Sequence, residues 1–281
     1  MTARDVRDVG AADAVKLGVR GAYDLAAPRY QRFIMPTFVP IARRILDLAR
    51  PNTDDLHLDL ATGAGLVPAV ADDRRWLTCI PPWRVGLDFS SSMLQQARLA
   101  SPPTRLVQGD LDHLPFRDGS IDLVTLSLAL HHLLTPRFAI QELRRVIRPR
   151  GRVVLAAWAD ELGPLWQAFD AWFERAGLGT VHSGRPSDLR INTEDRLRAA
   201  LLDVAGFASV EVTRELPPIV FPMLDAFWEW RISFPATYQA VMAVEPAARE
   251  RLRTECLDAL RPLVTGEVHA DQAVLFARAR P

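Results

Sequence analysis

Short apolar runs at Leu56–Leu60, 84–87, Arg105–Gln108, Ile121–Ser127 and 152–157 are separated by turns and helical stretches, and this alternation constrains the fold more than any other feature of the chain. Read in order it is β-α-β-α-β-β-α-β, which predicts a mainly parallel, doubly wound sheet with helices on both faces. The helical stretches carry their own punctuation. Ser90, Ser91 and Ser92 are N-cap candidates for a helix over 93–100 that stops before Pro102 and Pro103, and residues 137–148 are amphipathic up to a turn at Pro149, Arg150 and Gly151. Upstream, Phe33, Ile34, Phe38, Ile41, Ile45 and Leu48 recur at helical spacing around Pro36 and Pro40, predicting two short helices with a kink over 29–49. Downstream, a helix over 193–205 and strands at Ser209–Glu215 and 272–278 bring the sheet to seven strands.

The last two strands are separated by about fifty residues dense in Trp, Phe and Pro, among them Phe221, Phe227, Trp228, Trp230 and Phe234. That is too long for a hairpin, so 216–268 reads as a helical cap. Its apolar surface has to pack somewhere, and the expected place is above the carboxyl ends of the strands, with the inner face forming an acceptor pocket. The domain reading is therefore one unit: a helical lid over 1–50, a core over 56–215 and 272–279, and the cap.

Composition removes several classes. The chain has 281 residues, 34 basic and 34 acidic, so its net charge of zero predicts no pull toward nucleic acid or anionic membrane. All the positive charge but one is arginine. The exception, Lys16, sits in a polar N-terminal stretch and fits neither a Gly-Lys-Ser/Thr loop, a kinase strand nor a Schiff-base site. The Tyr-x-x-x-Lys pair of short-chain dehydrogenases would need a tyrosine where Ala12 stands. Cys79 and Cys256 are too few for a disulfide framework or a thiolate zinc site, and no run approaches the roughly 18 apolar residues of a membrane span. A cytoplasmic protein without a metal centre is expected; the oligomeric state is left open.

The first strand and its turn read Asp59-x-Ala61-x-Gly63-x-Gly65. Glycine at such a point either brings backbone close to a ligand at a helix N-terminus or simply makes a turn. The dinucleotide fingerprint would place its third glycine at position 68, which is Pro68, so nicotinamide and flavin cofactors lose ground. Acids stand at three successive strand ends, Asp59, Asp88 and Asp110. In a doubly wound sheet those ends face the ligand; an acid after the second strand can accept both ribose hydroxyls, and Asp110 can accept from an adenine amino group. The edge suits adenosine without a pyrophosphate.

With these residues in place the sequence resembles the class I S-adenosylmethionine-dependent methyltransferases, in particular the subgroup with the ubiquinone and menaquinone biosynthesis enzymes. The resemblance rests on LDLATGAG, VGLDFSSSMLQQAR, VQGDLDHLPFRDGSIDLVTLSLALHHL and ELRRVIRPRGRVVLA, about residues 56 to 158, and on Tyr23-Asp24-x-x-Ala27-x-x-Tyr30, similar to the aromatic segment that closes over the cofactor. It implies that Asp59, Ala61, Gly63 and Gly65 line the methionine and ribose side. It further implies that Asp88 takes the ribose hydroxyls, that Phe89 and Met93 pack on adenine, that Asp110 and the Leu111 backbone read its amino edge, and that Tyr23, Tyr30 and Ser127 complete the cofactor site. Ala61 and Thr62 replace a common Gly-Cys pair, Arg150 replaces a usual glycine, and residues 72–83 lengthen the first helix region.

His131 and His132 follow the fourth strand, where an imidazole either takes a proton from a hydroxyl or amine nucleophile or only shapes the pocket. His57 lies inside the first strand and reads as a satisfied core or interface histidine. The run Arg144, Arg145, Arg148, Arg150 and Arg152 is either a phosphate site or a solvated face followed by a turn. The expected function is methyl transfer to a small, largely apolar acceptor in specialised metabolism. The alternatives are a cofactor-binding enzyme of the same fold that performs a different reaction such as cyclisation, or a non-catalytic cofactor-binding subunit.

Overall fold

The computed structural model describes residues 3–73, 81–180 and 189–281, with side chains from residue 14 on. The chain opens with α1 (Ala3–Arg29), a π turn at Tyr30–Ile34, a 3-10 turn at Met35–Phe38 and α2 (Val39–Ala49). The kink falls where Pro36 and Pro40 predict it. The long α1 was not legible, because it has no apolar stripe of its own; contacts with the rest of the molecule hold it.

The core follows as β1 (Leu56–Leu60), α3 (Leu66–Asp72), β2 (Trp83–Asp88), α4 (Ser91–Ala100), β3 (Arg105–Gln108), β4 (Ile121–Ser127), α5 (Pro136–Val146), β5 (Ile147–Trp158), α6 (Pro164–Arg175), α7 (Glu194–Ala199) and β6 (Ser209–Glu215). The cap comprises β7 (Val220–Phe221), α8 (Leu224–Arg231), α9 (Pro235–Met242), α10 (Pro246–Leu260) and β8 (Val268–His269), and β9 (Val274–Arg280) closes the sheet. The seven-stranded order is β3-β2-β1-β4-β5-β9-β6, parallel from β3 to β5, with β9 antiparallel to both β5 and β6. This is the expected Rossmann-like sheet.

Both faces are covered, which explains the continuous apolar strands. Side chains alternate between them: Leu123, Val154 and Ala156 join the core beneath α2, α3, α6 and the cap, whereas Val124, Leu126, Val153 and Leu155 join the core beneath α5 and α7. Pro149, Arg150 and Gly151 differ from the expected turn. β5 pairs Ile147 with Ile121 and resumes at Arg152 opposite Leu123, so the intervening residues form a bulge inside one long strand. The stretch 72–83 lies largely outside the described residues.

The cap is helical as expected, with a small β7–β8 ladder added, but its aromatic face is not a pocket wall. Phe221, Phe227, Trp228 and Trp230 are only 6%, 0%, 3% and 1% exposed and sit in one core with α2, α6 and β9. Trp230 donates its indole N–H to Thr37 Oγ1 at 2.8 Å and meets the rings of Trp166 and Phe234 edge-on, at 5.1 and 4.9 Å. Arg231, fully buried, lies over Phe169 at 4.5 Å and donates to Asp170 at 2.7 Å. Packing α8 against α6, α10 and the 3-10 turn buries Phe227, Trp228 and Trp230, and the cap reaches α1 through Arg29, which donates to Glu229 and Ser233.

Candidate cofactor cleft and active site

The cleft opens at the carboxyl ends of β1 to β4, as the crossover between β1 and β4 dictates. β1 delivers the chain into a turn in which Ala61, Gly63 and Gly65 all have positive φ, +46°, +54° and +83°. Gly65 starts α3, and a Cβ there would sit 3.0 Å from the Ala97 backbone on α4, so only glycine lets the two helices approach. Ala61 holds a conformation that L-residues avoid, and Leu128, just past β4, does the same with φ +50°. Both line the cleft, and such strain persists where surrounding structure over-determines it.

Asp88, the last residue of β2, is the centre of the site. Its two oxygens accept the backbone N–H groups of Gly63 and Ser90, each at 2.8 Å. No cation pairs with it among the described residues. Burial pushes its carboxyl up to about 6, against the pull of those N–H groups. Asp59 lies one layer behind the wall, 2% exposed, and burial pushes it up to about 7 although Thr125 donates to it at 2.6 Å. With the Thr125 hydroxyl proton committed to Asp59, His57 Nε2 is the donor to Thr125 Oγ1 at 2.8 Å. His57 is thus a core residue, and burial pulls its imidazole down to about 3.

Ser90 caps α4, accepting Met93 N–H at 3.1 Å, and its hydroxyl donates to Asp24 of α1 at 2.6 Å. Asp24 also accepts the N–H of Ser92. Further along α1, Lys16 Nζ lies 2.8 Å from Asp110 Oδ2 and 2.5 Å from Asp112 Oδ2. Burial draws the Lys16 ammonium down, but bonds to the two carboxylates outweigh it and leave it raised. The only lysine, set aside in the sequence reading, therefore lines the site. Asp110 Oδ1 accepts the Asp112 N–H at 3.0 Å, so both of its oxygens are already engaged.

Tyr23 and Tyr30, rings 5.9 Å apart, project from the end of α1 and the π turn into the same cleft, both held above the usual phenol range by burial. Tyr23 Oη and His132 Nε2 are 2.8 Å apart. His131 is exposed and tilts against His132 at 3.8 Å rather than lining the cleft. Of the expected residues, Tyr23, Tyr30, Ala61, Gly63, Asp88, Phe89, Met93, Asp110, Leu111, Ser127 and His132 share one cavity wall, while Asp59 and Gly65 support it from behind. Arg20, missed in the sequence, joins them with its guanidinium 5.4 Å from the centre of the Phe89 ring. A helical spacing of four from Lys16 through Arg20 to Asp24 was the available signal.

A seven-stranded sheet of this order with an acid at the end of β2 and a glycine turn after β1 defines a Rossmann-like nucleoside-binding class. Residues 58–155 match a family model described as a methyltransferase domain. A demethylmenaquinone methyltransferase of Clavibacter sepedonicus is 32% identical over 174 residues, covering 57% of this chain and 69% of that protein. One from Paenarthrobacter aurescens is 39% identical over 166 residues, covering 56% and 60%. The chain belongs to the S-adenosylmethionine-dependent methyltransferase family. It spans 51% to 60% of the length of several of the curated relatives it matches. Among solved structures, the putative methyltransferase of Haloferax volcanii in complex with the Trm112 activator covers 94% of this chain and 97% of its own, with 20% identity and a TM-score of 0.58, a likeness of fold.

The residues present fit the family's cofactor. A buried carboxylate that accepts only N–H groups and has no cation retains lone pairs for two hydroxyls. Phe89 and Met93 offer apolar walls beside it, and the turn at Gly63 leaves open space where a Cβ would stand.

Proposed function

We propose that this protein transfers a methyl group from S-adenosylmethionine to a small, largely apolar acceptor in specialised metabolism. The observation that carries the reading is the pairing, in one cleft, of an uncompensated buried Asp88 with a Tyr23–His132 contact. When bound, the cofactor supplies an electrophilic methyl carbon on a sulfonium. Asp88 would accept the ribose hydroxyls, Phe89 and Met93 would flank the adenine, and Lys16 would keep Asp110 oriented toward its amino edge. Tyr23 and Tyr30 present π faces, which favour a positive charge nearby. His132 would take the proton of a hydroxyl or amine nucleophile, with Tyr23 fixing its ring; His131 would support that ring from outside. Residues 1–50 would act as a lid that keeps water out during transfer.

Positioning would supply most of the rate, since alignment of nucleophile and methyl in a dry cleft replaces a bimolecular encounter. Acceptor candidates begin with demethylmenaquinone, for which several relatives are named. The test is incubation with methyl-labelled cofactor and an acceptor panel. Label appearing in the acceptor with stoichiometric S-adenosylhomocysteine supports the reading. Product formation without cofactor consumption assigns a different reaction, such as cyclisation, and tight binding without any product assigns a subunit role.

A further inference from the structure

The arginine run at 144–152 separates in the structure into engaged and free members. Arg144 donates to the Gly206 carbonyl, Arg145 pairs with Glu142 and Asp118, and Arg148 pairs with Asp122. Arg152 is buried and bonds Asp55 and the carbonyls of Ala49 and Arg50. Arg150 has no such partner among the described residues. It stands on the β5 bulge and lines a concave pocket with Arg50 from the end of α2, Arg278 and Arg280 from β9, and the neutral donors Asn52 and Ser209.

No acidic side chain lines that pocket among the described residues; the one carboxylate at its rim is the main-chain carboxylate of Pro281, against four arginines that no acidic side chain pairs. Asp55 is engaged by Arg152, and Glu211 faces Arg278 across the β6–β9 ladder. Arg50, Arg150 and Arg280 have no acidic partner within ion-pair distance among the described residues. Arg278 Nε is buried without a hydrogen-bond partner, and the Arg278 guanidinium is held below its usual range by burial and by the charges of Arg280, Arg50 and Arg152. Like charges drawn together with less counter-charge than they carry destabilise the fold, and an anion between them would reduce that cost.

The pocket lies at the edge of the sheet opposite that cleft. Along β5, Arg152 of the pocket stands four steps, about 13 Å, from Ala156, which pairs with the cleft residue Ser127, and no residue lines both, so the pocket serves neither the cofactor nor the transferred methyl. Its concave shape favours a compact anion over an extended surface, and planar guanidinium forks match tetrahedral oxyanions. We propose that Arg50, Arg150, Arg278 and Arg280 form a second site, independent of methyl transfer, for a phosphate-type dianion, either free or as the terminal phosphate of a larger metabolite.

The test is calorimetric titration of the full chain in chloride buffer with inorganic phosphate, pyrophosphate and glycerol phosphate. Saturable one-to-one binding in the millimolar range or tighter is expected. Arg150→Ala/Arg280→Ala, both at exposed positions, should weaken it at least tenfold with an unchanged thermal midpoint. Arg98→Ala/Arg117→Ala, the same charge change elsewhere on the surface, should keep it. Preference for inorganic phosphate or pyrophosphate identifies a free anion, and preference for glycerol phosphate an esterified one. Absence of saturable binding, or equal loss in both double variants, overturns the site. So does tight binding of a short oligonucleotide that phosphate does not displace, which would assign a nucleic-acid surface instead.

Discussion

Cofactor affinity should follow the ionisation of Asp88, because only the carboxylate can accept two hydroxyls while still accepting the N–H groups of Gly63 and Ser90. Its carboxyl sits at about 6 in the free protein. At pH 8 about 99% of the molecules carry the charge and at pH 5 about 9%, so binding of S-adenosylhomocysteine should weaken roughly tenfold, about 1.4 kcal/mol, over that interval. Asp24, Asp59, Tyr23 and Tyr30 also face this region, and Asp59 at about 7 titrates in the same window. Asp88→Asn separates them. The amide turns an NH2 toward one of the two N–H donors, so affinity at pH 8 should fall about thirty- to a hundredfold, on the order of 2–3 kcal/mol. It should also lose the Asp88 part of its pH slope.

Stability of the free protein carries the opposite sign. A carboxyl raised by burial holds its proton longer in the folded state than in the unfolded chain, so its stabilising effect is full below about pH 4 and is lost as pH rises toward 6 to 7. Thermal midpoints without ligand should therefore drift down across that window unless other groups offset it. Saturating ligand should flatten the Asp88 share, since hydroxyl donors favour the charged form. Calorimetry at pH 5, 6, 7 and 8 reads both effects. Wild-type affinity constant over this range, or an Asn variant with the wild-type slope, would refute the assignment of Asp88 as the hydroxyl acceptor.

His132→Ala should cut turnover about a hundredfold with cofactor affinity intact, and His131→Ala much less, because His132 lines the cleft; equal effects in initial-rate assays would remove the distinction. Trp230→Ala should cost about 3–5 kcal/mol of stability by leaving a core cavity, seen in denaturant melts; a normal melt with a raised acceptor KM would restore the cap as a pocket wall. Because Lys16 is the only lysine, an endoprotease specific for lysine can cut the native chain at one place. Cleavage should be slow with S-adenosylhomocysteine bound and faster without it, and indifference to ligand would argue against α1 as a lid.

The core and the cofactor edge were legible because both follow from local rules. A strand that ends in a glycine turn, with acids recurring at successive strand ends, leaves one arrangement of ligand and sheet. What escaped depends on contacts distant in sequence. Lys16 reaches Asp110 over 94 positions, and the spacing of four to Arg20 and Asp24 marks a shared helix face without saying what that face meets. The direction of Trp228 and Trp230 depends on α2 and α6 offering them a core, which their own periodicity does not reveal. Density of aromatics correctly demanded burial, but it does not distinguish packing into a core from facing a ligand.

Zero net charge correctly describes the sum and hides the layout. At the carboxyl edge of the sheet Asp59 and Asp88 are buried with no basic partner among the described residues, and burial has pushed both upward. At the opposite edge Arg50, Arg150 and Arg280 stand together with no paired acidic side chain among the described residues. Several other charges are paired: Arg145 with Glu142, Arg152 with Asp55, Arg231 with Asp170. A chain with equal acids and bases can neutralise each charge with a neighbour, so charges left unpaired at both edges raise the energy of the free molecule. Hydroxyl donors at one end and an oxyanion at the other would each relieve that cost on binding. The same arithmetic that excluded a global field thus directs attention to the places where local neutrality fails.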